Sequence, residues 1–237
     1  MSGHSHWATI KHKKSAEDAK RGKAFTKLIK EINVAAKIAG GDPTNNPRLR
    51  LLIEKAKDIN MPSDNITRAI KRGTGELPGV HYESMVYEGY GPYGIAVILE
   101  TLTDNKNRTV AELRHIFAGS GGNLAETGAV AWMFEKLGVL DITGTMSEDT
   151  LLEKLIEHNI TDIKHDGTFF TIYCDPKSLE PVKQAILQLG LTVERAEVDL
   201  VAKNTINVTE DHKQKAYDFL QTLQDLDDVQ DVYTNLA

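Results

Sequence analysis

The sequence predicts an α+β protein: a basic N-terminal helical domain followed by two α/β sandwich domains of the ferredoxin-like kind, one inserted in the other. Three observations carry this. Charge is split along the chain: residues 1–75 hold 16 Lys and Arg against 7 Asp and Glu, a net +9, and the remainder holds 12 against 27, a net −15. The apolar residues recur at helical spacing before residue 80 and at strand spacing after it. From Val139 to Ala202 the order reads β-α-β-β-α-β, a complete ferredoxin-like unit. The flanking pieces, β-β-α-β and α-β, close a second sandwich only if that unit lies between them. The implied domains are 1–78, 79–136 with 205–237, and 137–204; two consecutive domains are the plainer alternative.

The first helix starts at the cap Ser15 with acids in its first turn and stops at Gly40-Gly41. Phe25, Leu28, Ile29, Ile32, Ala36 and Ala39 share one face. Lys20, Lys23, Lys27, Lys30 and Lys37 fall opposite, so the wheel predicts a solvent-facing lysine stripe. Asn46-Pro47 opens a second helix, with the asparagine as cap and proline at the first helical position. A third follows "MPSDN" and runs to Arg72, stopped by Gly73, with Ile66 and Ile70 facing inward. "GTGELPGV" reads as a linker.

The grammar then changes. "YESMVYEG" and "GIAVILETL" read as strands joined by "YGPYG". "NRTVAELRHIFAGSGG" is a helix with a glycine stop, and "AVAWMFEKLGVLDI" is one strand or two in succession. "SEDTLLEKLIEHN" is a helix capped by Ser147. "TDIKHD" and "TFFTIYC" form a hairpin about Asp166-Gly167, and "LEPVKQAILQLG" is a helix. "TVERAEVDLVA" is a strand, "DHKQKAYDFLQTLQDL" a helix and "VQDVYTN" a strand.

The single cysteine, Cys174, excludes an internal disulfide and fits a reducing, cytoplasmic setting. The basic start continues into more charge rather than an apolar segment, so it does not read as a secretory signal. The most apolar run, Gly94 to Leu102, is too short to cross a bilayer. No membrane partner is expected.

Several long blocks carry a resemblance: "GHSHWATIKHKKSAEDAKRGKAFTKLIKEI", "NPRLR", "NMPSDNITRAIKRG", "YEGYGPYG", "LTDNKNRT" and "GGNLAETGAVAWMFEKLG". In this order they resemble the YebC family, which also includes the mitochondrial translational activator of cytochrome c oxidase. The resemblance covers nearly the whole chain. His6 stands where a lysine is usual and Ala129 where a serine is usual. What the resemblance implies is a three-domain cytoplasmic regulator of gene expression, either a DNA-binding transcriptional regulator or a translation factor acting on the ribosome.

Read from the residues, the basic end is the candidate nucleic-acid-binding region. Lys11, Lys13 and Lys14 form an arm suited to tracking phosphates by counterion release, and Trp7 can stack on an unpaired base or pack on the bundle. Lys20, Arg21, Lys23, Lys27 and Lys30 continue the arm along the first helix, and Arg68, Lys71 and Arg72 lie on the third. No zinc-finger spacing, RNP motif or polar recognition helix occurs, so phosphate and shape contacts are expected over base readout. A second contact is expected at "YGPYG" and "DNKNR", with Tyr90 and Tyr93 as an aromatic tip or a packed hairpin. Lys106, Asn107 and Arg108 stand at a helix start as an anion pocket or as solvated charges. No metalloprotease, nucleophile-elbow or Walker spacing is found. The chain is therefore read as no enzyme, with no cofactor and no metal. DNA or ribosomal RNA is the expected partner, the ribosome being the larger assembly in the second case, and a monomer or weak dimer the expected state.

Overall fold

A computed structural model describes residues 18–237, with side chains from Gly22 onward. Two compact units emerge: the described part of Met1–Ala131 together with Ile206–Ala237, and Trp132–Thr205. The second is thus spliced into the first along the chain.

The first unit begins with three helices, α1 (Asp18–Ala39), α2 (Pro47–Asp58) and α3 (Ser63–Thr74). Asn46 caps α2, its side chain accepting from the Leu49 N–H while its amide donates to Ala35 O and Gly40 O. One residue thereby starts α2 and ties it to the end of α1. Leu28, Ile32, Ala36, Leu49, Leu52, Ala56, Ile66 and Ala69 are buried together between the helices. Gly73 does not stop α3. The helix runs to Thr74, and Gly75, at φ 84°, takes the left-handed cap position. Gly73 serves close packing instead: a Cβ there would lie 2.3 Å from Asn33 O and 2.9 Å from the Ala36 methyl. Gly73→Val is therefore expected to force α1 and α3 apart and cost about 1–3 kcal/mol. Urea denaturation followed by circular dichroism measures this; an unchanged midpoint would contradict the packing described.

The same unit continues with a four-stranded antiparallel sheet. Its strands are β1 (Glu83–Tyr90), β2 (Ala96–Thr103), β3 (Asn123–Ala125) and β8 (Val229–Thr234), in the order β3-β1-β2-β8. Helices α4 (Lys106–Gly119) and α7 (Glu210–Gln224) cover one face, and Leu113, Phe117, Phe219, Leu220 and Leu223 meet Ile95, Val97 and Leu99 there. The short strand β3 falls in "GGNLA", for which the spacing predicts no strand. The segment Ala131–Met133, expected to open a strand, is a turn of 3-10 helix. Gly89 and Gly122 explain β3. A side chain at either would strike Phe117 or the Tyr90 carbonyl, so bare backbone lets β3 approach β1 closely.

The second unit carries β4 (Phe134–Thr143), α5 (Glu148–Leu155), β5 (Ile160–Asp166), β6 (Phe169–Cys174), α6 (Leu179–Gln188) and β7 (Thr192–Ala202). Its sheet is antiparallel in the order β5-β6-β4-β7, the ferredoxin-like arrangement that the element order predicts. Ser147 caps α5, accepting from Thr150 N–H. Gly167, at φ 66°, turns the β5–β6 hairpin. Leu140, Ile142, Phe170 and Ile172 pack beneath Leu151, Leu155, Val182 and Ile186. On the strands β4 and β7, Arg195 bonds three carboxylates, those of Asp141 at 2.9 Å, Glu197 at 2.6 Å and Asp199 at 2.7 Å.

Candidate nucleic-acid interface

The expected basic surface divides into three parts. Trp7, Lys11, Lys13 and Lys14 lie outside the described residues, as do the side chains of Lys20 and Arg21, whose backbone belongs to α1. On α3, Arg68, Lys71 and Arg72 are exposed. None of the three forms an ion pair among the described residues. They rise from one side of a helix whose opposite side buries Ile66 and Ala69, so the packing of α3 fixes their direction.

The α1 lysines are different, and the solvent-facing stripe expected for them needs correcting. Lys30 is only 6% exposed. Its ammonium lies 2.6 Å from Asp228 Oδ1, donates to Asp227 O at 2.8 Å and reaches Leu102 O at 3.4 Å. The Tyr82 ring stands 5.6 Å away. One turn earlier, Lys27 donates to Gln224 O. One turn earlier again, Lys23 stands 4.0 Å from Asp225. Thus α1 has two partnered faces. The apolar one meets α2 and α3, and the lysine one meets the turn between α7 and β8.

Asp228 is the centre of this junction. One carboxylate oxygen faces Lys30. The other accepts from Arg108 at 2.8 Å, Thr109 Oγ1 at 2.8 Å and Thr103 Oγ1 at 3.1 Å. Burial pushes its pKa up, but the bonds from Lys30, Arg108 and Thr109 outweigh this and hold it at about 2. A cleft of about 600 Å³ opens beside the junction, with Lys23, Thr26, Tyr82, Arg108 and Glu112 on its walls.

The second expected contact is also internally satisfied in part. Asn105 caps α4 by accepting from Arg108 N–H. Arg108 turns to Asp104 at 2.7 Å and to Asp228, and Lys106 pairs with Glu83 at 2.6 Å, so both carry their own counterions. Asn107 is exposed. Tyr90 donates its hydroxyl to Ala129 O at 3.2 Å. Tyr93, at φ 62°, stacks on His212 with ring centroids 4.0 Å apart. The two tyrosines thus serve the turn and its neighbours, though Tyr93 remains 40% exposed.

Three groups went unread in the sequence: Asp228, the carbonyl of Gln224, and Glu88. Glu88 is 4% exposed, and its carboxylate accepts N–H bonds from Gly128 at 2.7 Å, Val130 at 2.8 Å and Ala131 at 2.8 Å. The acidic run "DLDD" was the visible signal for the first. Nothing local marks the other two.

Comparison with known proteins adds the decisive observation. A family profile described as the TACO1/YebC protein N-terminal domain matches residues 5–76, and one described as the TACO1/YebC second and third domain matches residues 82–236. The chain belongs to the TACO1/YebC family. Its members include a probable transcriptional regulatory protein of Chlorobaculum tepidum, 51% identical over 238 residues, covering all of this chain and 95% of that one. Another, of Desulfatibacillum aliphaticivorans, is 53% identical over 236 residues, covering 99% and 96%. A solved structure of a conserved hypothetical protein from Aquifex aeolicus is similar with a TM-score of 0.83 at 45% identity, over 98% of this chain and 96% of that one. These names place the TACO1/YebC chain among regulators of gene expression at the level of the family. Among the described residues, no helix is long and apolar enough to cross a membrane, and no group of three or more His, Cys, Asp or Glu is placed to hold a metal ion.

Proposed function

We propose that this protein is a non-enzymatic regulator that binds nucleic acid through its helical N-terminal segment, as a DNA-binding transcriptional regulator. The observation that carries this reading is the exposed trio Arg68, Lys71 and Arg72, which form no ion pair among the described residues, on a helix packed against α1. The relatives' shared name, probable transcriptional regulatory protein, points the same way. Lys11, Lys13, Lys14, Lys20 and Arg21 extend the cationic surface in the sequence, and Trp7 supplies a ring for stacking. In the proposed second contact Tyr93, Lys106, Asn107 and Arg108 are exposed, the two cations paired with acids. Cys174 offers no nucleophile: burial, then Asp175, push its thiol up to about 11.

One observation favours a second reading, a translation factor gripping ribosomal RNA. The exposed cations Arg68, Lys71 and Arg72 suit phosphate and shape contacts, which carry no sequence information and are the usual mode for structured RNA.

The test is Arg68→Glu, Lys71→Glu and Arg72→Glu combined. Three lost phosphate contacts are expected to lower the slope of log affinity against log salt by about 2 to 3, and affinity at 0.1 M salt by roughly a hundredfold. Fluorescence anisotropy with duplex DNA and with structured RNA reads this. Unchanged binding to both would refute the interface, and the preferred polymer decides between the two readings.

A further inference from the structure

The contact between α1 and the α7–β8 turn has the chemistry of a nucleic-acid complex. Lys23, Lys27 and Lys30 stand one turn apart along α1. What they meet is a row of oxygen acceptors: the Asp225 carboxylate, the carbonyls of Gln224 and Asp227, and the Asp228 carboxylate. Two of these acceptors, the Gln224 carbonyl and the Asp225 carboxylate, lie at the C-terminal end of α7, where aligned peptide dipoles add negative potential. A phosphate backbone presents the same thing, oxygens bearing negative charge at intervals along a line. The turn also contains an apolar residue, Leu226, packed against the core beside it, which anchors the acids. The adjoining cleft opens beside both partners, with Lys23 and Lys30 on one wall and Asp225 and Asp227 on the other.

We propose that the acidic turn Gln224–Asp228 is an autoinhibitory phosphate mimic, which occupies the lysine face of α1 and is displaced when a nucleic-acid backbone engages that face. This rests on the nucleic-acid reading above. The gradient along the stripe sets the order of exchange. Lys23 and Asp225 are 47% and 44% exposed in their side chains and 4.0 Å apart, so this end releases first. Lys30 and Asp228 are 8% and 6% exposed and 2.6 Å apart, so this end releases last. The basic surface is thereby closed to weak polyanions and open to one that first docks on α3.

The experiment uses the full chain, a 20-nucleotide RNA and a duplex DNA of equal length, with three proteins: the parent, Asp225→Asn, and Asp218→Asn as a charge-matched change on the exposed side of α7. Asp225→Asn is expected to bind about three- to fivefold more tightly than both others. Hydrogen exchange is the second readout. On addition of nucleic acid, amides of residues 225–229 should exchange faster while those of α3 slow. Both results are required. Equal affinities for Asp225→Asn and Asp218→Asn, or a turn whose exchange slows or stays constant on binding, overturn the proposal. If the parent binds neither polymer, the nucleic-acid reading itself fails, which the parent alone reveals.

Discussion

Asp228→Ala is expected to destabilise the first unit by about 3–5 kcal/mol, the cost of leaving a buried ion without its partner. The substitution strands the Lys30 ammonium, 6% exposed, with only carbonyl oxygens around it. It also takes one of two carboxylates from Arg108, which keeps Asp104, and removes an acceptor from the hydroxyls of Thr103 and Thr109. Adding Lys30→Met should recover at least about 1 kcal/mol, because the orphan charge goes with it. Urea titrations of the parent, both single variants and the double variant give the coupling directly; strict additivity would show that the pair is not a pair. The same carboxylate makes stability depend on acid. Its folded pKa of about 2 lies below the ordinary 3.8. The stabilisation is therefore complete above about pH 4 and drains away as pH falls from there through 2. Nearly two pH units correspond to roughly 2 kcal/mol. Asp228→Ala should flatten that part of the stability profile.

Glu88→Ala is expected to cost about 3–4 kcal/mol and to loosen residues 128–131. Burial raises the pKa of this carboxyl, but the three N–H bonds from Gly128, Val130 and Ala131 prevail and bring it below its usual value. Truncation leaves those three donors without their acceptor, and each buried donor left unpaired costs about 1–3 kcal/mol. Glu88→Gln keeps the volume but points an amide N–H₂ at donors, so it should recover less than half of the loss. Hydrogen exchange at Val130 and Ala131 reads the local effect apart from global unfolding. Unaltered protection in Glu88→Ala would mean that the loop is held by something else.

Sequence legibility followed the range of the interactions. The caps Asn46 and Ser147, the hairpin glycine at 167 and the β-α-β-β-α-β order are local, and each is readable from a few neighbouring residues. Gly73 misled because a glycine near a helix end has two uses, cap and close contact, and only the position of Asn33 on α1 decides between them. Strand β3 escaped because three residues show no alternation and its stability comes from β1. The α1 lysines were the instructive error. A helical wheel assigns one face to the core and leaves the rest to water. It cannot know that Gln224 and Asp228 return 197 and 198 positions later to meet the other face. At the candidate interface, the exposure of the α3 cations was legible from spacing. The acids that hold α1 and Arg108 were not, since opposite charges far apart in sequence show no mutual pattern.

The splice at Ala131 and Ile206 also fixes an order of events during synthesis. The inserted sheet draws all four strands from one contiguous stretch, so it can close as soon as that stretch has left the exit tunnel. The surrounding sheet cannot. Its strand β2 waits for β8, and Lys30 waits for Asp228. At about 5–20 residues per second, that wait is on the order of ten seconds. Throughout it the nascent helices carry their lysines bare, beside a ribosome rich in phosphate. The basic N-terminal segment is thus more adhesive to phosphate on the nascent chain than in the folded molecule, and synthesis of Gln224–Asp228 is the step that masks it.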